Sequence, residues 1–348
     1  MRALVTGGCG FIGSHVIREL LACTEYSYEK VVNLDLLTYS GHYENCADIS
    51  DKRYIFKHGS INDKTSFIEL LKEYEINVIF HLAAESHVDR SINSIEPFIS
   101  TNVDGTRCIL EGIVQRMGEG VEINLIHIST DEVYGSLELN ELPFTERSPI
   151  SPRNPYAATK AASDHLVQSF VNTYGVSAII TRCSNNYGPR QFPEKLIPLM
   201  TINAIQGKAL PLYGDGLQIR DWIYVKDHVR GLIAAFIALK EGVLSPGEVV
   251  NFGGENEMTN LEIVNQIIGE VGASNSQIKY VDDRLGHDRR YAINNTKAKN
   301  ILQWSPTIRW SEGIKETINW YYTNEKWVNS ITSGEYRDWI NNQYNNNL

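Results

Sequence analysis

Val5-Thr6-Gly7-Gly8-Cys9-Gly10-Phe11-Ile12-Gly13-Ser14-His15 follows a short apolar run and opens a helical pattern, with glycines at Gly7, Gly10 and Gly13. A strand that turns into a helix through such a triplet brings its backbone close to a pyrophosphate, and the helix N-terminus supplies N–H donors to the anion. Any side chain at those glycines would obstruct the approach. Asp35 closes the next apolar run, about 20 residues on, where a carboxylate accepts from the hydroxyls of an adenosine ribose. It would repel a 2′-phosphate, so the expected cofactor is NAD rather than NADP.

Outward from this loop, apolar runs at 3–5, 31–34, 78–82, 125–128 and 178–181 alternate with helical patterns. That rhythm predicts an α/β fold with a doubly wound parallel (Rossmann) sheet, whose ligands lie beyond the carboxyl ends of the strands. It breaks after Asn185, where Pro189, Pro193, Pro198, Pro211, Gly214 and Gly216 interrupt the pattern. A smaller mixed α/β substrate domain is therefore expected. Residues 1–184 and roughly 217–250 would form the NAD-binding domain, and 185–216 with roughly 251–348 the second, residues 219–225 and the following helix returning to the sheet. The Asn-rich end is expected to fray.

Composition narrows the function. With 42% hydrophobic and 21% charged residues the chain is an ordinary globular protein, and a net charge of −10 argues against nucleic-acid or anionic-membrane binding. Cys9, Cys23, Cys46, Cys108 and Cys183 are scattered without metal-ligand spacing. They read as reduced thiols in a cytoplasmic protein, and no metal is expected. No apolar run approaches the roughly 20 residues that cross a bilayer, and Met1-Arg2-Ala3-Leu4-Val5 opens directly into a strand without a signal-peptide pattern.

Two further stretches carry chemistry. Tyr156-Ala157-Ala158-Thr159-Lys160 follows Pro155 and enters a helical pattern, which puts the lysine ammonium on the same face as the phenol. A phenol is a poor base at neutral pH, but a nearby cation together with a positive nicotinamide ring would make Tyr156 usable. Ser129-Thr130-Asp131-Glu132-Val133-Tyr134-Gly135 ends the 125–128 run. Elimination of water needs one group to remove a proton beside a ketone and another to protonate the departing hydroxyl, and two adjacent carboxyls suit this if one stays protonated.

Together these stretches resemble the extended short-chain dehydrogenases, and specifically the dTDP-glucose 4,6-dehydratase family. The likeness extends through 81–89, 185–189, 192–198, Arg220-Asp221-Trp222, 286–291 and the closing Trp327-Val328-Asn329 and Trp339-Ile340. Asp131 is the discriminating residue: the resemblance implies that C4 epimerases lack the Asp-Glu pair, and that mannose-type dehydratases and decarboxylases carry a small residue in its place. It implies transient oxidation at C4 by Tyr156 with Thr130, Lys160 and NAD, then proton removal from C5 by Glu132, protonation of the C6 hydroxyl by Asp131, and hydride return to C6.

The same resemblance implies a cofactor site of Gly7, Gly10, Phe11, Ile12, Gly13, Asp35, Thr38, Ser60, Ile61, Leu82, Ala83, Ala84, Ser86, Thr101, Tyr156, Lys160 and Asn186. It assigns the nucleotide sugar to Ser86, Thr130, Asn185, Lys195, Leu196, Pro211, Tyr213, Arg220, Asn260, His287, Arg289, Arg290 and Tyr291. Lys195, Arg220 and the Arg289-Arg290 pair offer cations to a diphosphate, and Pro211-Leu212-Tyr213 a surface to the base. A homodimer is implied by the resemblance alone.

Three positions depart from the family pattern. Ser60 stands where an aspartate is usual, Leu36 where a lysine is common, and Leu285 where proline is usual. The first two bear on cofactor affinity and the third on the shape of the nucleotide lid. Thymidine is the family expectation and uridine the alternative, followed by an epimerase or decarboxylase using the same tyrosine, and by an NAD-binding regulator without activity.

Overall fold

The computed structural model describes residues 1–24, 26–273 and 278–332; Trp339-Ile340 and the Asn-rich end lie outside them. In chain order the strands are β1 (Arg2–Thr6), β2 (Lys30–Asp35), β3 (Tyr54–His58), β4 (Val78–His81), β5 (Asn124–Thr130), β6 (Ala178–Cys183), β7 (Asn185–Tyr187), β8 (Leu210–Tyr213), β9 (Ile219–Tyr224), β10 (Val249–Phe252), β11 (Glu257–Thr259) and β12 (Ile278–Val281). Seven of them form one parallel sheet in the order β10-β6-β5-β4-β1-β2-β3. The apolar runs of the sequence become β1, β2, β4, β5 and β6, while β3 and β10 complete the edges.

The continuous apolar runs follow from burial on both faces. Ala3 and Val5 pack with Val16, Ile17, Val229 and Phe236 on one side. Leu4, between them, packs with Phe67, Leu71, Ile109 and Val167 on the other. The chain winds from β1 outward to β2 and β3, then returns to place β4 against the other edge of β1. That reversal opens a crevice at the carboxyl ends of β1 and β4, the place where such sheets bind ligands.

One expectation fails at β9. It does not rejoin the large sheet but pairs in parallel with β7 and antiparallel with β11 in a separate sheet of three strands. Adjacent Arg220 and Asp221 point to opposite faces of the strand and are held outside the large sheet, Arg220 by the Asp288 carbonyl and Asp221 by the backbone N–H groups of Gly254 and Asn256. The helix Val225–Lys240 does return, burying Val229, Leu232 and Phe236 against the large sheet, and β10 follows it in. A further core gathers Tyr187, Trp222 and Tyr224 with Ile197, Ile263 and Ile314, flanked by the parallel pair β8 and β12.

Candidate active site

The glycine loop is shaped by contact rather than flexibility. Gly7 has φ +70°, and a Cβ there would lie 2.7 Å from the Ala83 nitrogen; one at Gly13 would lie 2.2 Å from the Gly7 carbonyl oxygen. The helix Phe11–Ala22 starts at Gly10 with no side-chain cap and no acid in its first turn, leaving its first N–H groups for an anion. Asp35 Oδ2 accepts from Cys9 N and Oδ1 from Leu37 N, each at 2.8 Å. Burial raises its pKa and these two bonds oppose the rise.

A cavity of about 410 Å³ opens here, and every expected cofactor-site residue lines it, from Gly7 in the loop to Asn186 on β7. The donors at the helix start, the carboxylate at the end of β2 and the elongated crevice fit a dinucleotide. Thr101 enters from a wide π-helical turn, Ile99–Gly105. Behind it, Asn102 Nδ2 donates to the Glu85 carbonyl at 3.0 Å and to Thr159 Oγ1 at 2.9 Å, tying the cavity wall to the helix that carries Tyr156. Of the three departures, Ser60 and Leu36 line this cavity, whereas Leu285 is 76% exposed.

At the end of β5 the chain tightens into a single 3₁₀ turn, Asp131–Tyr134, capped by Thr130. Thr130 Oγ1 accepts from Glu132 N at 3.3 Å and donates to Asp131 Oδ1 at 3.4 Å. Asp131 is 2% exposed. Burial, then the charges of Glu132 and Asp221, push its pKa well above the carboxylate range, and its Oδ2 is buried without a protein hydrogen-bond partner. Burial and two neighbouring carboxylates thus favour the protonated form of Asp131, the form that can give a proton.

Tyr156 enters on the first turn of the helix Pro155–Tyr174. Burial, the Glu132 charge and Cys183 raise its phenol pKa well above the ordinary value, while the Thr130 hydroxyl opposes them. Lys160 is buried on the same helix, and its ammonium donates to the Ile128 carbonyl at 2.7 Å. Burial lowers Lys160 to about 8, partly offset by Asp164. Asp164 in turn meets Arg182 Nε at 2.9 Å and His127 Nε2 at 3.3 Å. A positive nicotinamide ring in the cavity would favour the phenolate against these effects.

A second cavity, of about 150 Å³, adjoins the first and shares Ser86, Glu132, Asn185 and Lys195 with it. Leu196, Pro211, Tyr213, Arg220, Asn260 and His287 line it as expected. Lys195 Nζ donates to the Ser86 carbonyl at 2.8 Å. Arg220 is aimed by bonds to the Ile219 and Asp288 carbonyls at 2.8 and 3.0 Å. His287 is driven down to about 4 by burial and by Arg284 and Arg220, so it is neutral at physiological pH.

Arg289, Arg290 and Tyr291, expected here, line neither cavity. Arg289 pairs with Asp215 at 3.1 Å. Arg290 grips Glu257 through two bonds of 2.6 and 2.9 Å and donates to the Glu141 carbonyl at 2.7 Å. Tyr291 lies under the Arg220 guanidinium, 4.5 Å from ring centre to carbon, and so supports the site from behind. Beside Lys195 and Arg220, Arg284 lines the second cavity, 3.4 Å from Asp89 Oδ1. Its position three residues before His287 was the signal available in the sequence.

The family model described as GDP-mannose 4,6 dehydratase matches residues 4–317. The dTDP-glucose 4,6-dehydratase 1 of Escherichia coli (strain K12) is 46% identical, with 99% of each chain covered. This chain belongs to the dTDP-glucose 4,6-dehydratase family. A solved member of that family, DesIV of Streptomyces venezuelae with NAD bound, superposes with a TM-score of 0.90 at 42% identity, covering 95% of this chain and 100% of that one. The UDP-glucose 4-epimerase of Thermotoga maritima shares the fold at a TM-score of 0.83, with 29% identity over 93% of this chain and 100% of that one. Architecture is thus common to dehydratase and epimerase.

Proposed function

We propose that this protein is an NAD-dependent hydro-lyase that converts dTDP-glucose to dTDP-4-keto-6-deoxyglucose. The observation that carries the reading is the Asp131-Glu132 pair, with Asp131 buried beside the second carboxylate, on a cavity wall shared with Tyr156 and open to the second cavity through Glu132. A 4-epimerase needs to move no proton at C5 and no hydroxyl at C6, so a buried acid beside a second carboxylate has no task there.

Gly7, the first turn of the helix Phe11–Ala22, Asp35 and the expected cavity residues would hold NAD. When bound, it accepts hydride from the sugar C4 and returns it at C6. Tyr156, with Thr130 and Lys160, takes the C4 hydroxyl proton. The resulting ketone acidifies the C5 hydrogen, which Glu132 removes while Asp131 protonates the C6 hydroxyl as it leaves; reprotonation at C5 completes the loss of water. Lys195, Arg220 and Arg284 face the second cavity with the charge a diphosphate needs.

Residues 1–184 and the helix Val225–Lys240 with β10 would serve the cofactor, and 185–224 with the chain after β10 the nucleotide sugar. A cytoplasmic homodimer is part of the proposal, implied by the resemblance, and Ile95 and Ile99 are exposed apolar side chains. The test is to incubate the purified protein with dTDP-glucose and, separately, UDP-glucose while following the C6 methyl signal by NMR. A methyl doublet from dTDP-glucose without net NADH is the expected result, and none from either sugar in protein carrying NAD would sink the dehydratase.

A further inference from the structure

The loop after the catalytic turn places an amide against one of its carboxylates. Gly135, at φ +93°, lets the chain pass so closely that a Cβ would lie 2.5 Å from the Ser151 carbonyl oxygen, and Ser151 N donates to the Val133 carbonyl at 2.9 Å. This docks residues 151–154 on the turn. Asn154, 8% exposed, then caps the helix Pro155–Tyr174, its Oδ1 accepting from Ala157 N at 2.8 Å. With the amide oxygen committed to the helix, the nitrogen has one direction left, and it donates to Glu132 Oε2 at 3.0 Å.

We propose that Asn154 is a positioning residue that fixes Glu132 as the base for the C5 proton, a role that rests on the function proposed above. A donor on one oxygen stops the carboxylate's rotation, leaving Oε1 to reach the sugar. Lys195, Arg220 and Arg284 line the second cavity together with Glu132. Those cations are the ones a diphosphate takes, whereas the Asn154 bond comes from the scaffold and persists through turnover. Serine, aspartate and asparagine cap helices about equally well; ionised aspartate has no donor for the carboxylate and serine has one oxygen on a shorter side chain for both tasks, whereas asparagine divides them between Oδ1 and Nδ2. The cap therefore sorts the acid pair: Asp131 is buried as the acid, and Glu132 is given a donor as the base.

Asn154→Ser and Asn154→Asp separate this role from capping, because both retain an acceptor for Ala157 N. In the NAD-loaded enzyme turning over dTDP-glucose in deuterated water, Asn154→Ser is expected to lower kcat about tenfold with KM within about twofold and an unchanged melting temperature. Asn154→Asp puts a second carboxylate on Glu132, and the acid limb of kcat/KM moves up by about one pH unit. If both variants keep the wild-type kcat, pH profile and rate of deuterium entry at C5, Asn154 only caps the helix and the proposal is overturned while the dehydratase stands. A wild type that forms no methyl product from either sugar nucleotide overturns both.

Discussion

The two cavities share a wall at Ser86, Glu132 and Lys195 yet are built by opposite means. The first is made of backbone: glycines at a strand end, bare N–H groups at a helix start and a carboxylate closing the next strand. The second is made of long side chains from distant segments, several already engaged by the protein. Arg284 and the Tyr213 hydroxyl both meet Asp89, at 3.4 and 3.2 Å, so a diphosphate has to compete with that acid. A backbone site fails through shape, and a side-chain site through loss of charge.

Gly13→Ala would break the comparison at its strongest point. With the new Cβ 2.2 Å from the Gly7 carbonyl oxygen, the clash is expected to destabilise the fold by about 3 kcal/mol, read by urea unfolding, and to displace the loop so that less NAD is released on denaturing the purified protein. In the second cavity, Arg284→Gln removes a charged donor worth about 2 kcal/mol and is expected to raise KM for dTDP-glucose by about thirtyfold with kcat nearly unchanged. Arg290→Gln is the control: it loosens the grip on Glu257 and lowers the melting temperature while leaving KM alone. Equal KM effects from the two arginines would show the cavity drawn around the wrong cation.

The smallest effect belongs to Glu194 on the shared wall. Burial pushes its pKa from 4.5 up to about 6, against the pull of Lys195 and Arg90. A carboxyl that binds its proton more tightly when folded contributes stability that is full below pH 4.5 and gone above about 6. Across that window the wild type should lose about 1 to 2 kcal/mol relative to Glu194→Gln, measured by urea unfolding at a series of pH values. Parallel curves for the two proteins would remove Glu194 as the source.

This contrast also explains what could be read from the sequence. Gly7, Gly13 and Asp35 take their meaning from neighbours on the same strand or helix, and Tyr156 and Lys160 from helical spacing, so local periodicity finds them. β3 and β10 lie at the sheet edges, where short, less distinctive runs give a weaker pattern. Arg284 and Asn154 act through loops of no fixed period. Arg289 and Arg290 were misread because a sequence does not say which acid will claim a cation; Asp215 and Glu257 claim these two. For β9 the hydropathy of Trp222, Ile223 and Tyr224 outweighed the adjacent charges at Arg220 and Asp221.

The path of the chain has a consequence for descent. From β6 it enters the small sheet at β7, comes back through the helix Val225–Lys240 and β10, and leaves again for β11. The sugar-facing half is thus woven into the other and cannot be exchanged between genes as a cassette. A lineage built on this plan has to acquire a new nucleotide or a new reaction one substitution or one loop length at a time, which fits a dehydratase and an epimerase that still superpose over nearly their whole length.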